Sequence, residues 1–523
     1  MKTRIHGQEG QTLLEAVRGS DHHVRTPCAG RGVCGKCRVI VIGDGPADNL
    51  APPDAEELRH LRPGEREKGI RLACLARFVR TGHHELELGD DGIAVPVEHL
   101  PVSFDPEIRM AAGLSGRPLR VAVDIGTTTL AVCLADAAAG TVLSVRTAAN
   151  AQKSWGSDVV ARIQAVVDDS AALAAMHLTI IRQIEGLIRE QLAEQGRSPD
   201  ELDCIALAGN TVMLHLAAGE DPSGMARVPF HPVFLESRTM PAPGCGFGLS
   251  AECSVILVPG ISAFVGGDIT AGVLSTGLDR AEVLELLLDI GTNGEMVLGN
   301  RQGMSATATA AGPAFEGAQI AHGCPGLPGA LDHAGHNGDG FWYTTINDAP
   351  LIGICGSGLL DLAAALRHSG RLDETGFLEL PEDAEEFFPD PDSPVSLSQV
   401  DIRQLQLAKG AIAAGVQILC LRAGITPDQI SRVHLAGGFG TFMSPQAALT
   451  IGLLPVGLRG KIVPAGNTSL KGALEVISRT GALERASAIA QAVKTVDLST
   501  DPEFQMAFGE AMLFPEEAGD AVH

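Results

Sequence analysis

The 523-residue sequence lacks several features that define common classes of protein. No uninterrupted apolar run approaches the ~20 residues that a membrane span needs, so we expect no membrane contact. The N-terminus shows no apolar segment of the kind that directs secretion, so secretion is not indicated. Basic residues are scarce: 39 lysines and arginines stand against 63 aspartates and glutamates, for a formal net charge of −24. Nucleic-acid binding needs a basic face, so this balance argues against such a partner and leaves a cytoplasmic protein of another kind.

The composition is that of a folded protein with several cores. Hydrophobic residues make up 45% of the chain and charged residues 20%, which is typical of a well-packed chain and not of a disordered one. A length of 523 residues exceeds a single domain, so three or four packing units are expected. The P-loop signature GxxxxGK[ST] is absent, which removes support for that nucleotide-binding fold.

Four cysteines near the N-terminus form the most informative pattern. Cys28, Cys34 and Cys37 follow the spacing C-x5-C-x2-C in TPCAGRGVCGKCRVIV, and Cys74 follows in RLACLARF. A loop of cysteines among small residues can wrap around iron while its amides point at bridging sulfurs. The glycines between these cysteines allow the tight curl that this requires, often at positive φ. A fourth thiolate from a distant strand closes the Cys₄ site of a 2Fe–2S cluster.

Other interpretations of these cysteines explain less of the pattern. Structural zinc more often shows two separated C-x2-C pairs, and this segment has one. Disulfides are not expected in a chain without a secretion signal. His22 and His23 could replace cysteine ligands in a Rieske-like site, but four well-spaced cysteines make that unnecessary. The sequence therefore predicts a 2Fe–2S cluster on the four cysteines.

The surroundings of the cysteine loop resemble a ferredoxin domain. GQTLLEAVRGS looks like the strand end and helix of a ferredoxin β-grasp fold, and the ligand spacing resembles the adrenodoxin type. The resemblance covers residues 1–92, and the first strand of the fold is expected to be short because the sequence begins MKTRIHGQEG. The stretch 93–118 contains proline and glycine and is predicted to be a linker.

The rest of the chain carries an internal repeat. Three segments recur in the same order, which argues for two copies of one α/β unit, 119–283 and 284–500. The second copy carries an insertion around 325–400 that is irregular and acidic, and 501–523 is predicted to be a C-terminal tail. The paired segments are LRVAVDIGTTTLAVCLAD with LELLLDIGTNGEMVLGN, CIALAGNTVMLHLAAG with VHLAGGFGTFMSP, and, more faintly, SVILVPGISAFVGGDITAG with KIVPAGNTSLKGALEVI.

The first pair of repeated segments carries the chemistry. In each copy a hydrophobic strand ends in Asp-Ile-Gly-Thr, where glycine admits a phosphate and the following amides and hydroxyls can donate to it. A single such motif is most simply a β-turn, but two copies and a third glycine motif favour a nucleotide site. Asp124 and Asp289 are then expected to hold Mg²⁺ through its waters. The phosphate-binding candidates are Gly126, Thr127, Thr128, Gly291, Thr292 and Asn293.

Three further segments carry candidate site residues. LAGGFG ends a predicted strand, and an adenosine could lie against the backbone of Gly437 and Gly438. ICGSGLLDL places Gly356 and Ser357 before a helix, either as another contact near the phosphates or as a buried N-cap at Ser357. Glu316, in a glycine-rich loop, could orient the attacking water or touch the metal, although a capping or surface role fits equally.

Asp268 precedes a helix of small residues and is most simply an N-cap.

DIGTTT, DIGTNGEM and LAGGFG resemble the phosphate-1, phosphate-2 and adenosine motifs of the ASKHA superfamily. That superfamily includes sugar kinases, chaperones and actin, and it is built from two duplicated ribonuclease-H-like domains. The resemblance implies an α/β chain in which an N-terminal β-grasp ferredoxin domain and a linker precede an actin-like ATPase body.

The whole chain resembles the reductive activators of corrinoid proteins, which join a 2Fe–2S domain to an ASKHA-type ATPase. That resemblance implies ATP-dependent transfer of one electron to a cobalt(II) corrinoid protein of a methyltransferase system, regenerating cobalt(I). It also implies an upstream electron donor and a homodimer. The alternatives are an activator of 2-hydroxyacyl-CoA dehydratases, which lacks a ferredoxin domain, a redox-sensing nucleotide-binding regulator, and a small-molecule kinase.

Overall fold

The computed structural model describes most of the chain outside the N-terminal cysteine loop and the expected linker. Cys28 and Cys34 lie outside the described residues, as does most of the expected linker 93–118. At the end of that linker, Arg117 pairs with Glu252 of the first repeated half. The described residues are 2–18, 24, 30, 32, 35, 37–42, 50–61, 65, 68–87, 116–337, 340–381, 384–440 and 442–516.

The N-terminal domain is a four-stranded sheet in the order β1-β4-β2-β3, with antiparallel neighbours. Its helix Leu13–Arg18 begins after Thr12, whose hydroxyl and amide exchange hydrogen bonds with Glu15. The helix buries Leu13 and Val17 against the sheet. This arrangement confirms the predicted ferredoxin-type domain. Its strands are β1 (Lys2–Gly7), β2 (Arg38–Ile42), β3 (Ile70–Leu72) and β4 (Gly82–Glu87), and its second helix is Ala55–His60.

The first half of the ATPase body is a six-stranded sheet in the order β7-β6-β5-β8-β10-β9. Its strands are β5 (Leu119–Ile125), β6 (Thr129–Asp136), β7 (Thr141–Ala149), β8 (Leu202–Gly209), β9 (Arg238–Pro241) and β10 (Ser254–Leu257). Its helices are Val159–Asp168, Ala171–Glu194, Thr211–Ala218 and Gly267–Thr276.

The second half contains a six-stranded sheet in the order β20-β19-β11-β12-β13-β21. The strands of that sheet are β11 (Glu285–Ile290), β12 (Gly294–Asn300), β13 (Gly303–Thr309), β19 (Arg432–Ala436), β20 (Ile462–Gly466) and β21 (Val493–Thr495). Five further strands of this half lie outside it: β14 (Ala330–Asn337), β15 (Gly340–Thr345), β16 (Gly353–Ile354), β17 (Glu386–Phe387) and β18 (Leu397–Ser398). Its helices are Gly356–His368, Gln399–Ala423, Gly437–Gly440, Pro445–Thr450, Thr468–Ser478, Ala482–Ala492 and Pro502–Ala511.

Strand register confirms the internal duplication. Asp124 on β5 is the parallel partner of Ala208 on β8, and Asp289 on β11 is the parallel partner of Ala436 on β19. In both sheets the next two strands on one side of the first strand are antiparallel to their neighbours, and the next two on the other side are parallel to theirs. The two aspartates therefore occupy equivalent points of two copies of one fold, at the carboxyl end of the first strand.

The two halves pack together through one helix from each copy. Helices Gly267–Thr276 and Thr468–Ser478 approach so closely that a Cβ at Gly472 would lie 2.1 Å from the carbonyl oxygen of Ala271. A Cβ at Gly272 would lie 2.9 Å from the Leu287 side chain and 3.1 Å from the Thr468 hydroxyl, both in the other half. Only glycine permits this approach, so the small residues of both helices serve packing between the halves.

The segment around 325–400 is more regular than the sequence predicted. It contains the sheet β15-β14-β16, the helix Gly356–His368 and the two-stranded pair β17-β18. Apolar side chains of the helix join the core of the second half, where Leu359, Leu360 and Leu366 are buried. The prediction of an irregular insertion was wrong, because these buried contacts stabilise regular structure that the acidic composition does not reveal.

The described part of the predicted C-terminal tail, 501–523, is packed against the second half. Helix Pro502–Ala511 packs on helix Gln399–Ala423, and buried Lys409 donates to the carbonyl oxygens of Ala511 and Leu513. The segment therefore completes the second half.

Two helices, Ala171–Glu194 and Gln399–Ala423, are long and apolar enough to cross a membrane by length and composition alone. Their apolar windows are 33% and 72% buried inside the protein. Both contribute side chains to the cores of their halves, as core helices of comparable length do.

Candidate iron–sulfur and nucleotide sites

The described cysteines of the N-terminal loop lie together in the core of the first domain. The Sγ atoms of Cys37 and Cys74 are 3.2 Å apart, and both residues are buried. The backbone holds them in place, because the amide of Ala73 donates to the carbonyl of Cys37 at 2.8 Å. Two thiolates at this spacing can bind the same iron, so the described part of the loop fits the predicted cluster.

The loop glycines adopt the conformation that the sequence predicted. Gly30, Gly32 and Gly35 have φ values of +89°, +78° and +62°, where residues with a side chain are strained. A Cβ at Gly30 would lie 2.8 Å from the Leu14 side chain and 3.7 Å from the Cβ of Cys74. The loop is therefore drawn tightly against the helix and the last cysteine.

We call the turn between β5 and β6 the first phosphate hairpin and the turn between β11 and β12 the second, because these turns hold the candidate phosphate-binding residues. Three carbonyl oxygens of the first hairpin accept hydrogen bonds. The Asn150 side chain donates to Gly126 at 2.8 Å, and the Asn150 backbone amide donates to Thr128 at 2.8 Å. The buried Arg162 guanidinium donates to Thr127. Three successive carbonyl oxygens of the turn are thus hydrogen-bonded, and the Thr128 hydroxyl donates to Glu316 of the other half at 2.6 Å.

Glu316 lies between the two phosphate hairpins. Its carboxylate accepts a hydrogen bond of 2.6 Å from the Thr128 hydroxyl and one of 2.7 Å from the Thr292 hydroxyl. Glu316 is half-buried, and these two hydrogen bonds join the turns of the two halves. Gly291 lies beside it, since a Cβ there would be 4.0 Å from a Glu316 oxygen.

Four carboxyl groups, those of Asp124, Asp268, Asp289 and Glu295, interact in the cleft. Burial, together with the charges of Asp268 and Asp124, raises the pKa of Asp289 to about 8. Burial, with the nearby Asp124 charge, also raises the pKa of Asp268 to about 7. Burial and the two neighbouring aspartates raise the pKa of Glu295 well above its usual value. Such a group of mutually repelling carboxylates is stabilised by a cation.

Among the described residues, no three histidine, cysteine, aspartate or glutamate side chains converge as the ligands of a directly bound metal ion would. Asp268 was predicted to be the N-cap of its helix, but the N-cap is Gly266. Asp268 lies in the first turn, close enough to Asp124 for their charges to interact.

Four side chains orient these carboxylates, and three of them, Asn210, Asn467 and Ser469, were not among the residues predicted from the sequence. Asn467 and Ser469 donate to the two oxygens of Asp124 at 2.8 and 2.7 Å. Asn210 and Asn293 both donate to Glu295 at 3.3 Å. The signal was present, because Asn-Thr follows Ala-Gly in both copies, in LAGNT and in PAGNTS.

The glycines of the expected adenosine motif face different surroundings. A Cβ at Gly437, whose φ is +89°, would lie 2.5 Å from the Ile290 carbonyl oxygen and 2.6 Å from an Asp289 carboxylate oxygen. A Cβ at Gly438 would meet nothing within 4 Å. Gly437 thus allows the backbone to approach the second phosphate hairpin, and Gly438 alone faces open space.

The structure places Gly356 and Ser357 in the first turn of their helix. The N-cap is Cys355, so the alternative in which Ser357 is the cap was wrong. The helix starts earlier because Gly356 packs directly on the neighbouring loop, where a Cβ would lie 2.0 Å from the Phe315 carbonyl oxygen. The ring of Phe315 stacks on Phe439 at 4.5 Å, which connects the loop of Glu316 to the adenosine motif.

Comparisons with known proteins agree with this architecture. Three family models match in chain order: a 2Fe-2S iron-sulfur cluster binding domain over residues 2–79, the RACo middle region over 119–281, and the C-terminal domain of RACo, the ASKHA domain, over 283–523. A solved structure described as the reductive activator for corrinoid, iron-sulfur protein is 29% identical and superposes with a TM-score of 0.70, covering 97% of this chain and 96% of that one.

Two curated proteins are also similar. The corrinoid activation enzyme RamQ of Eubacterium limosum is 28% identical over 407 residues, which cover 73% of this chain and 68% of that protein. The [Co(II) methylated amine-specific corrinoid protein] reductase of Methanosarcina barkeri is 27% identical over 314 residues, 55% of this chain and 56% of that protein. The chain thus matches little more than half the length of the second relative.

A ferredoxin-type iron–sulfur domain joined to two ASKHA halves defines an ATPase that carries its own electron-transfer domain. Within that class the chain belongs to the family of reductive activators of corrinoid proteins.

Proposed function

We propose that this protein uses ATP to drive the reduction of a corrinoid protein of a methyltransferase system from cobalt(II) to cobalt(I). The observation that carries the proposal is the union of a 2Fe–2S domain with both ASKHA halves over the full described chain, as in the superposed reductive activator. When bound, the cluster supplies a one-electron carrier. An upstream donor provides the electron, and cobalt(II) accepts it.

The four N-terminal cysteines, Cys28, Cys34, Cys37 and Cys74, hold the cluster in this proposal. Cys37 and Cys74, whose Sγ atoms lie 3.2 Å apart, would supply two of the four thiolates. A buried pair of thiolates needs positive charge nearby to remain ionised, and iron supplies it.

The two phosphate hairpins hold the nucleotide across the cleft. Thr128 and Thr292 turn their hydroxyls from Glu316 to the phosphate oxygens, and Glu316 is then free to orient the attacking water. Asp124 and Asp289 hold magnesium through its waters, with Asp268 and Glu295 adding negative charge. Backbone and side-chain contacts to the nucleotide come from Gly126, Thr127, Gly291, Asn293, Gly356, Ser357, Gly437 and Gly438.

ATP is needed because the electron moves uphill. Each ~59 mV of unfavourable one-electron transfer costs a factor of ten in equilibrium. Docking of the ATPase body on the corrinoid protein would make its cobalt(II) easier to reduce, and ATP hydrolysis would then separate the partners. A cytoplasmic homodimer is the form in which we expect this cycle to run.

The test is an anaerobic absorption spectrum of a cobalt(II) corrinoid protein mixed with reductant and this protein. Cobalt(I) should form repeatedly with ATP and Mg²⁺ and should not turn over with a non-hydrolysable analogue. D124N and D289N should form no more cobalt(I) with ATP and Mg²⁺ than without nucleotide. D200N, at an exposed aspartate, should behave as wild type. Equal cobalt(I) turnover without nucleotide contradicts the proposal, as does phosphorylation of a small metabolite at a comparable rate.

A further inference from the structure

The iron–sulfur domain touches the ATPase body through the last residue of its first helix. Arg18 donates from Nη2 to the carbonyl oxygen of Ser154, and its guanidinium carbon lies 5.8 Å from the centre of the Trp155 ring. The same guanidinium borders the cysteine loop, because a Cβ at Gly30 would lie 3.9 Å from Nη2. A single side chain thus contacts the loop of the cluster and the surface of the other domain.

Ser154 and Trp155 belong to a short segment, residues 150–156, that we call the docking segment. It contains the 3₁₀ turn Ala151–Ser154, capped by the Asn150 side chain. Asn150, Gln152 and Ser154 are buried, and Trp155 packs half-buried on the core of the first half. The segment is therefore a fixed part of the ATPase body and not a loose loop.

The docking segment is bonded directly to the first phosphate hairpin. Asn150 donates at 2.8 Å to the carbonyls of both Gly126 and Thr128. Arg162, which is fully buried, completes the connection: it donates to the carbonyl of Thr127 and, at 3.0 Å, to the carbonyl of Gly156. Three successive hairpin carbonyls are thus tied to the segment that receives Arg18, so the hairpin and the docking segment move together.

We propose that Arg18 and the docking segment form a nucleotide-sensitive latch that holds the iron–sulfur domain on the ATPase body and releases it when the phosphate hairpin closes on ATP. The inference rests on the proposed nucleotide site. Among the described residues, a hydrogen bond and a cation–π contact of Arg18 join the domain to the docking segment, and both depend steeply on geometry. A small displacement of the hairpin, passed on through Asn150 and Arg162, is enough to break them. The released domain is then free to reach the protein that accepts its electron.

The chain offers a direct probe of this latch, since its two tryptophans are Trp155 and Trp342. In the full-length W342F variant, Trp155 is the sole tryptophan emitter. Breaking the Arg18 contact exposes one side of its ring to water, which shifts its emission to longer wavelength and increases quenching by acrylamide.

The experiment compares W342F with W342F/R18Q, each loaded with its cluster as verified by visible absorption, before and after Mg²⁺ and a non-hydrolysable ATP analogue. The analogue should red-shift Trp155 emission in W342F. W342F/R18Q should show the shift already without nucleotide and should not shift further. The matched control is W342F/R80Q, which removes an exposed arginine of the same domain and should respond as W342F does.

Titration calorimetry of the analogue separates this inference from the proposed function. If the analogue binds and Trp155 emission changes equally with and without Arg18, the latch is wrong and the ATPase stands. If the analogue does not bind, both are wrong. Should R18Q fail to fold, hydrogen exchange of the wild-type protein replaces it: faster exchange in both Leu13–Arg18 and 150–156 on binding supports the latch, and unchanged exchange in either overturns it.

Discussion

The hydroxyls of Thr128 and Thr292 lie 3.5 Å apart across the cleft, although 164 positions separate the two residues in the chain. Both donate to one carboxylate, that of Glu316. The two phosphate hairpins are therefore joined by a group that comes from neither, and that group is the first target for mutation.

E316Q should uncouple nucleotide binding from hydrolysis. The amide keeps the size of the carboxylate but loses its charge and its ability to accept a proton, so we expect kcat for ATP hydrolysis to fall by about 10²-fold or more. The dissociation constant for ATP should stay the same or decrease, because a negative charge near the phosphates is removed. E190Q, at an exposed glutamate of the first half, is the control. Unchanged kcat in E316Q would show that another residue orients the water.

C74S should remove the cluster and leave the ATPase body folded. The purified wild-type protein should contain about two irons and two sulfides per chain, and the variant should lose them with its visible absorption. C133S is the matched control, because burial raises the pKa of the Cys133 thiol to about 12 and this cysteine lies in β6 of the ATPase body. A stoichiometric zinc content without iron in the wild-type protein would refute the cluster assignment.

Substitutions at Gly437 and Gly438 should have different effects. G437V forces a side chain at positive φ against the Asp289 carboxylate, so the melting temperature and Mg²⁺-dependent hydrolysis should both fall; the backbone strain alone costs about 1 kcal/mol. G438V places its side chain in open space and should mainly weaken ATP binding, with little change in melting temperature. Calorimetry and thermal unfolding of both variants check this. If G437V and G438V change ATP binding and melting temperature equally, this motif does not bind adenosine.

Lys409 should make stability depend on pH between about 7 and 10. Burial lowers its pKa to about 7 in the folded protein, whereas an unfolded lysine titrates near ~10.4. Between these values the unfolded chain binds the additional proton, so the free energy of unfolding should rise with pH, by at most about 1.4 kcal/mol per pH unit. K409M should lose this slope in thermal unfolding at pH 7–9.5, and K494M, at an exposed lysine, should keep it. Parallel slopes in wild type and K409M would contradict the assignment.

The positions of the two repeated aspartates in the sheets could be predicted because their motifs are local and repeated. Asp124 and Asp289 each end an apolar strand and precede glycine, and the register of both sheets pairs them with the alanines of the second repeat. The positive φ of Gly30 in the cysteine loop followed in the same way from residue type. In each case the backbone conformation depends on a few neighbouring residues, which the sequence lists in order.

Local patterns misled where a distant chain segment set the outcome. Ser357 has the residue type of an N-cap, yet the helix begins earlier because Gly356 packs against the Phe315 carbonyl. The acidic composition of 325–400 likewise hid a sheet and a helix that are stabilised by burial against the second half.

The sequence by itself determined the cysteine spacing, the duplication and the glycine turns at the phosphates, because these depend on residue type and on short-range backbone geometry. Only the tertiary structure decided which carboxylates share the cleft, that Glu316 joins Thr128 to Thr292, and that Arg18 reaches Trp155. Those contacts join residues far apart in the chain, and their geometry is set by the packing of whole sheets and domains against one another, which no local pattern encodes.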